Sequence, residues 1–69
     1  MKSMYVMDLG NNTYKGFLMC KSSEASTLST SEVTLDNGDT IKLVDGSVVI
    51  EVDTTARHIL YDDKWYRRQ

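Results

Sequence analysis

Few side chains in this chain have the chemistry for catalysis or ligation, and their spacing decides what they could do. His58 is the single histidine and Cys20 the single cysteine. Glu51 precedes His58 across a turn-prone Thr54-Thr55, so a two-residue connection sets Glu51 opposite His58, Val49 opposite Leu60, Ile50 opposite Ile59 and Val48 opposite Tyr61. A four-residue connection keeps that parity, whereas a three-residue one swaps the faces and sets Glu51 against Ile59. The Glu51–His58 pair is then a cross-strand contact worth about 0.2–1 kcal/mol. Catalysis would need a nucleophile or second base placed with His58, and the sequence supplies no such set. No catalytic residue and no enzymatic activity is expected. Asp36 and Asp39 flank Asn37-Gly38 without the alternating acids and distant Glu of a calcium loop, so neither metal nor cofactor is expected. Cys20 ends the apolar run Phe17-Leu18-Met19 and reads as a small buried hydrophobe rather than a reactive thiol.

The C-terminal run offers recognition instead. Tyr61, Trp65, Tyr66, Arg67 and Arg68 are of the types enriched at interface hot spots, and they form the candidate partner interface. In an extended chain Trp65 and Tyr66 point to opposite faces, so one closes the core and the other meets solvent or a partner.

The elements that must position these residues read as strands. Met4–Leu9 and Thr13–Cys20 flank Gly10-Asn11-Asn12, whose residues tolerate the left-handed backbone of tight hairpins. Gly16 interrupts the second strand, as a bulge, a close backbone approach or equally a plain weak point. Asn11-Asn12-Thr13 also spells a glycosylation acceptor, which the absence of a visible secretion signal leaves unused. The run KSSEASTLSTSE, residues 21–32, reads as a Ser/Thr-rich linker, with at most a helical turn over Ser23–Leu28 capped by Ser22 or Ser23. Val33–Leu35 and Thr40–Leu43 flank Asn37-Gly38, a strong hairpin signal. A two-residue tip would set Val33 against Lys42, so a turn longer by one or two residues is expected. Asp45-Gly46 and Asp62-Asp63-Lys64 turn the chain again.

The predicted fold is all-β, a small antiparallel β-meander of about six or seven short strands in one or two curled sheets, with minimal helix. It is one domain over residues 1–69: a hairpin over 1–20, the linker over 21–32 and a β-hairpin module over 33–69. Val48, Ile50 and Val52 share one face and Val49, Glu51 and Asp53 the other, and the first face is assigned to the core. The expected core is Tyr5, Leu9, Phe17, Leu35, Ile41, Leu43, Val48, Ile50, Val52, Ile59, Tyr61 and Trp65.

A chain of 69 residues buries only about 60% of the surface its unfolded form exposes. With no disulfide or metal in prospect, assembly is the remaining supplement. No apolar run approaches the ~20 residues of a membrane span. Residues 33–63 gather the acids Asp36, Asp39, Asp45, Glu51, Asp53, Asp62 and Asp63 against Lys42 and Arg57, in a chain of net charge −2. That balance argues against direct nucleic-acid binding, which wants a basic surface; no membrane or small-molecule substrate is expected either.

Gly46-Ser47, Ile50-Glu51-Val52-Asp53-Thr54, Leu60-Tyr61-Asp62 and Lys64-Trp65-Tyr66 together resemble a pattern of small tailed-bacteriophage virion proteins of the head-fibre and capsid-decoration type. That pattern carries a glycine after Asp-Thr, where this chain has Thr55 or Ala56, and another after Tyr-Asp, where it has Asp63. The resemblance implies a non-enzymatic virion structural protein, assembled in the host bacterial cytoplasm. Its implied partners are a major capsid or tail protein and sister copies. The alternative is a small acidic phage or bacterial regulator that binds and blocks a host protein through residues 33–63.

Overall fold

The structure, a computed structural model, describes residues 1–69. Seven strands, β1 (Lys2–Asp8), β2 (Thr13–Cys20), β3 (Glu32–Thr34), β4 (Thr40–Leu43), β5 (Val48–Glu51), β6 (Arg57–Tyr61) and β7 (Lys64–Arg68), are joined by one short helix, α1 (Ser22–Ala25). The chain is all-β with minimal helix, as its strand-and-turn alternation predicts.

The sheet is curled and mixed, which corrects the expectation of a purely antiparallel meander. β2 runs antiparallel to β1 along one edge; on its other edge it runs parallel first to β4 and then to β5. Parallel neighbours need a crossover long enough to carry the chain back to the starting end of the sheet. Residues 21–31, with α1 inside them, begin that crossover, and the β3–β4 hairpin completes it. A meander reading misses this because each local hairpin is antiparallel and only the long connection is not.

The turns explain the local registers. Asn11 and Asn12 both take positive φ (54° and 58°) at the first hairpin, and Asp62 and Asp63 do the same (55° and 63°) at the last, a two-residue connection between Tyr61 and Lys64. At the β3–β4 tip, Leu35 N–H donates to Asp39 O, and Gly38, at φ 92°, takes the left-handed position. That tip is one residue longer than the bare Asn-Gly reading and sets Val33 against Ile41 rather than Lys42. The β5–β6 connection is the four-residue form: Glu51 N–H donates to Ala56 O, and Val49 pairs with His58. Gly16 marks a close approach, since a Cβ there would lie 2.1 Å from Tyr5 O. The register irregularity lies in β1 between Ser3 and Tyr5, opposite Leu18 and Phe17, while Gly16 itself pairs with Val6.

The core lies on one face of the sheet, the inner one: Leu18, Cys20, Val33, Ile41, Leu43, Val49 and Leu60, closed by Met1 and by Ala25 of α1, with Leu35 and Trp65 packed against it. Ile41, Leu43, Leu35 and Trp65 are where the sequence puts them. The face assignment in β5 and β6 is inverted, however. Val49 and Leu60 are fully buried, whereas Ile59 and Tyr61 are exposed, as are Tyr5, Leu9, Phe17 and Val52, and Val48 and Ile50 are only partly covered. Both faces of these strands are apolar enough for a core, so alternation alone cannot choose. The inner face wins because the crossover segment covers it and because its polar members, Glu51 and His58, satisfy each other. Ser22 does not cap α1; its N–H and hydroxyl donate to Asp53 at 2.9 and 2.7 Å, and Lys21 occupies the N-cap without a side-chain bond.

Candidate functional site

Two constellations stand out, one on each face of the sheet. On the inner face, β5, β6 and β7 bring Glu51, His58 and Arg67 together. Glu51 is fully buried, and its carboxylate accepts from His58 Nε2 at 2.5 Å, from Arg67 Nε at 2.8 Å and Nη2 at 3.3 Å, and from Thr54 Oγ1 at 2.6 Å. A carboxylate only accepts, so the proton between His58 and Glu51 sits on Nε2. The fork from Arg67, followed by Thr54 and His58, holds the Glu51 carboxyl down to about 2. The cluster ties three strands at the end of the core. His58 is itself buried and spends its Nε2 on Glu51, and no hydroxyl or thiol bonds to that ring. The expected contact between Glu51 and His58 is present, but on the buried face and diagonally, since the residue directly across from His58 is Val49.

Two further sequence candidates also turn inward. Arg67 belongs to this cluster, and Trp65 packs on the core while its Nε1–H donates to Thr30 O at 2.7 Å. Of the five residues of the candidate interface, Tyr61, Tyr66 and Arg68 point outward, and Trp65 and Arg67 hold the fold. Cys20 is buried, and burial, with Glu24 nearby, pushes its thiol up to about 11. No three His, Cys, Asp or Glu side chains converge as a metal site, and no helix is long and apolar enough to cross a membrane.

The outer face holds the second constellation, of which Tyr5, Phe17, Val48 and Ile59 were expected in the core and Tyr66 at the partner interface. Through the registers of five strands, Tyr5, Phe17, Val48, Ile59 and Tyr66 form one continuous row across β1, β2, β5, β6 and β7. At ~4.8 Å between neighbouring strands the row is about 19 Å long. A parallel row on one side reads Lys2, Met19, Ile50, Arg57, Arg68; on the other side lie the pairs Met7–Lys15 and Tyr61–Lys64. Tyr5, Phe17, Ile59, Tyr61 and Tyr66 are all exposed, and so are the five cations among them. A sequence signal for this face existed: Val48, Ile50, Ile59 and Tyr61 alternate with Val49 and Leu60, so β5 and β6 are apolar on both sides, as strands are when both faces are covered.

The acids lie elsewhere. Asp36, Asp39, Asp45, Asp53, Asp62 and Asp63 sit in turns, and Glu51 is inside. Asp63 accepts from Ser31 N–H at 2.7 Å, which lowers its carboxyl, and the Ser22 bonds lower that of Asp53. Asp45, Asp62, Asp63 and Glu32 rim an open concavity with Lys42. No protein-family model, curated protein or solved structure matches this chain.

Proposed function

We propose that this chain is a non-enzymatic bacteriophage virion structural protein, a capsid decoration or head-fibre component that binds a shell protein, with sister copies as further partners. The observation that carries the reading is the uncovered row Tyr5, Phe17, Val48, Ile59, Tyr66 across the outer face. Contiguous apolar surface rimmed by polar residues marks an interaction site, and a rigid sheet presents it with little ordering cost on binding. The resemblance of residues 46–66 to small virion proteins supplies the context. The outer edges of β1 and β7 are unpaired and remain available for strand addition by sister copies. His58 buried against Glu51 supports the non-enzymatic part of the reading. Assembly would take place in the host bacterial cytoplasm, and the virion would be the final location.

The test is mass spectrometry of purified virions from the source of the gene. The chain is expected in them at a fixed ratio to the major shell protein, and a Phe17→Ser, Ile59→Ser double variant is expected to be missing from otherwise complete particles. Its absence from wild-type virions would reject the reading. A second reading, a regulator that blocks a host protein, draws on the acids around the concavity of Asp45, Asp62, Asp63 and Glu32. It predicts that a host protein is recovered with the wild-type chain and lost with Asp45→Lys and Asp62→Lys.

A further inference from the structure

We infer that the outer face is built for a different protein chain, one that presents an apolar ridge flanked on both sides by carboxylates, and not for a second copy of itself. This rests on the docking reading above and names the chemistry of the partner. The face is segregated by charge. Lys2, Arg57 and Arg68 lie along one side of the apolar row and Lys15 and Lys64 along the other, and no acid occupies an outward strand position in β1, β2, β5, β6 or β7. The outward acid of the remaining strands, Glu32, sits beyond this face and opposite Lys42. In a chain of net charge −2, five cations and no acid at these outward strand positions leave the acids to the turns, to α1 (Glu24), to β3 (Glu32), to the inward-parity end of β1 (Asp8) and to the core (Glu51).

Three occupants compete, and the residues choose among them. A second copy docked face to face would bring five cations against five, and like charges across an interface suppress that pairing. A second copy docked by its acid-rich side would offer the concavity lined by Asp45, Asp62, Asp63 and Glu32, whose lining is mostly polar, and so would leave the apolar row facing polar groups. Single-stranded nucleic acid would find the cations, but base stacking needs an aromatic platform. Here the middle of the row, Val48 and Ile59, is aliphatic, with the aromatics at its ends. An apolar centre with a charged rim is the anatomy of a protein–protein interface. The outward strand positions of the rim being all basic specifies the acidic complement.

The test uses the intact chain and three fluorescent probes: an 18-residue amphipathic helical peptide with a leucine stripe bordered by glutamates, the same peptide bordered by lysines, and an 18-nucleotide oligo-dT. Binding is followed by anisotropy. The glutamate peptide is expected to bind and the lysine peptide to bind at least about tenfold more weakly, since rim charge sets partner choice. Raising salt from 0.1 to 1 M, which shortens the screening length from ~10 to ~3 Å, is expected to weaken the glutamate peptide and narrow that gap. Lys15→Glu with Lys64→Glu, both at exposed positions, takes the face from five cations to three cations and two anions and is expected to narrow the preference markedly. Tyr66→Ser is expected to weaken both peptides while leaving the circular dichroism spectrum unchanged. Equal binding of the two peptides, no binding of the glutamate peptide, tighter binding of oligo-dT, or a concentration-dependent dimer abolished by Phe17→Ser would each overturn the inference. The outcome is independent of virion content: glutamate-peptide binding by a chain missing from virions would sink the virion reading and leave this one standing.

Discussion

Neighbouring residues in β6 give the sharpest test of which face is the core. Leu60 is fully buried and Ile59, next to it, is 44% exposed. Leu60→Ala removes a leucine side chain from a packed site enclosed by Leu18, Val49 and the crossover segment. Such truncations cost about 2–5 kcal/mol through lost transfer energy and the cavity left behind. A chain of this size has a total stability of roughly 3–10 kcal/mol at 0.05–0.15 kcal/mol per residue, so Leu60→Ala consumes a large part of it. With a urea slope of about 1 kcal/mol/M for a small protein, the midpoint falls by about 2 M or more, or the chain no longer folds. Ile59→Ala loses surface already open to water and is expected to cost under about 1 kcal/mol. Urea titration followed by the fluorescence of Trp65, which packs against the core, reads both variants, and Val49→Ala against Val48→Ala repeats the comparison in β5. If Ile59→Ala proved as costly as Leu60→Ala, the faces would be reversed and the docking surface would vanish with them.

Other expectations follow from single contacts. Because Glu51 titrates at about 2 in the folded chain, below its ordinary 4.5, its contribution is complete above about 4.5 and is lost as pH falls toward 2. Glu51→Gln is therefore expected to flatten the fall in urea midpoint between pH 5 and pH 2.5, and an unchanged slope would refute the role given to the carboxylate. Gly16→Ala would set a Cβ 2.1 Å from Tyr5 O, so β1 should separate from β2, seen as faster amide exchange over Lys2–Asp8 with slower exchange retained in β5 and β6. Thr55 carries a branched side chain at φ 65°, a left-handed conformation that costs an L-residue about 1–2 kcal/mol. Thr55→Gly should raise the melting temperature by several degrees, and a drop would show that the Thr55 hydroxyl bond to Thr54 O outweighs the strain.

The left-handed position at Thr55 shows where sequence reading succeeds. A turn was legible around Thr54-Thr55 because Asp and Thr cluster between apolar strands, and parity restricted its length to an even number. The choice of four residues, with Thr55 taking the conformation usually left to glycine, came from pairing Val49 with His58. The strands, the turns at Asn11-Asn12, Asn37-Gly38 and Asp62-Asp63, and the scarcity of helix were likewise determined by residues close together in the sequence. These are local properties, set by which backbone angles each residue tolerates and by period-two alternation.

Tertiary structure decided the rest, because it depends on partners far apart in the chain. β2 lies parallel to β4 and β5 only because residues 21–31 carry the chain back across the sheet, and nothing local in a hairpin announces that. Alternation in β5 and β6 names two apolar faces but not the buried one; Leu18, Ala25 and the crossover make that choice from outside. Glu51, His58 and Arg67 look like surface residues one at a time; three strands bring them together so that Glu51 and His58 are buried and the half-exposed Arg67 closes over the carboxylate. The C-terminal run thereby divides, Trp65 and Arg67 sealing the inner face and Tyr66 and Arg68 joining a basic, aromatic outer one.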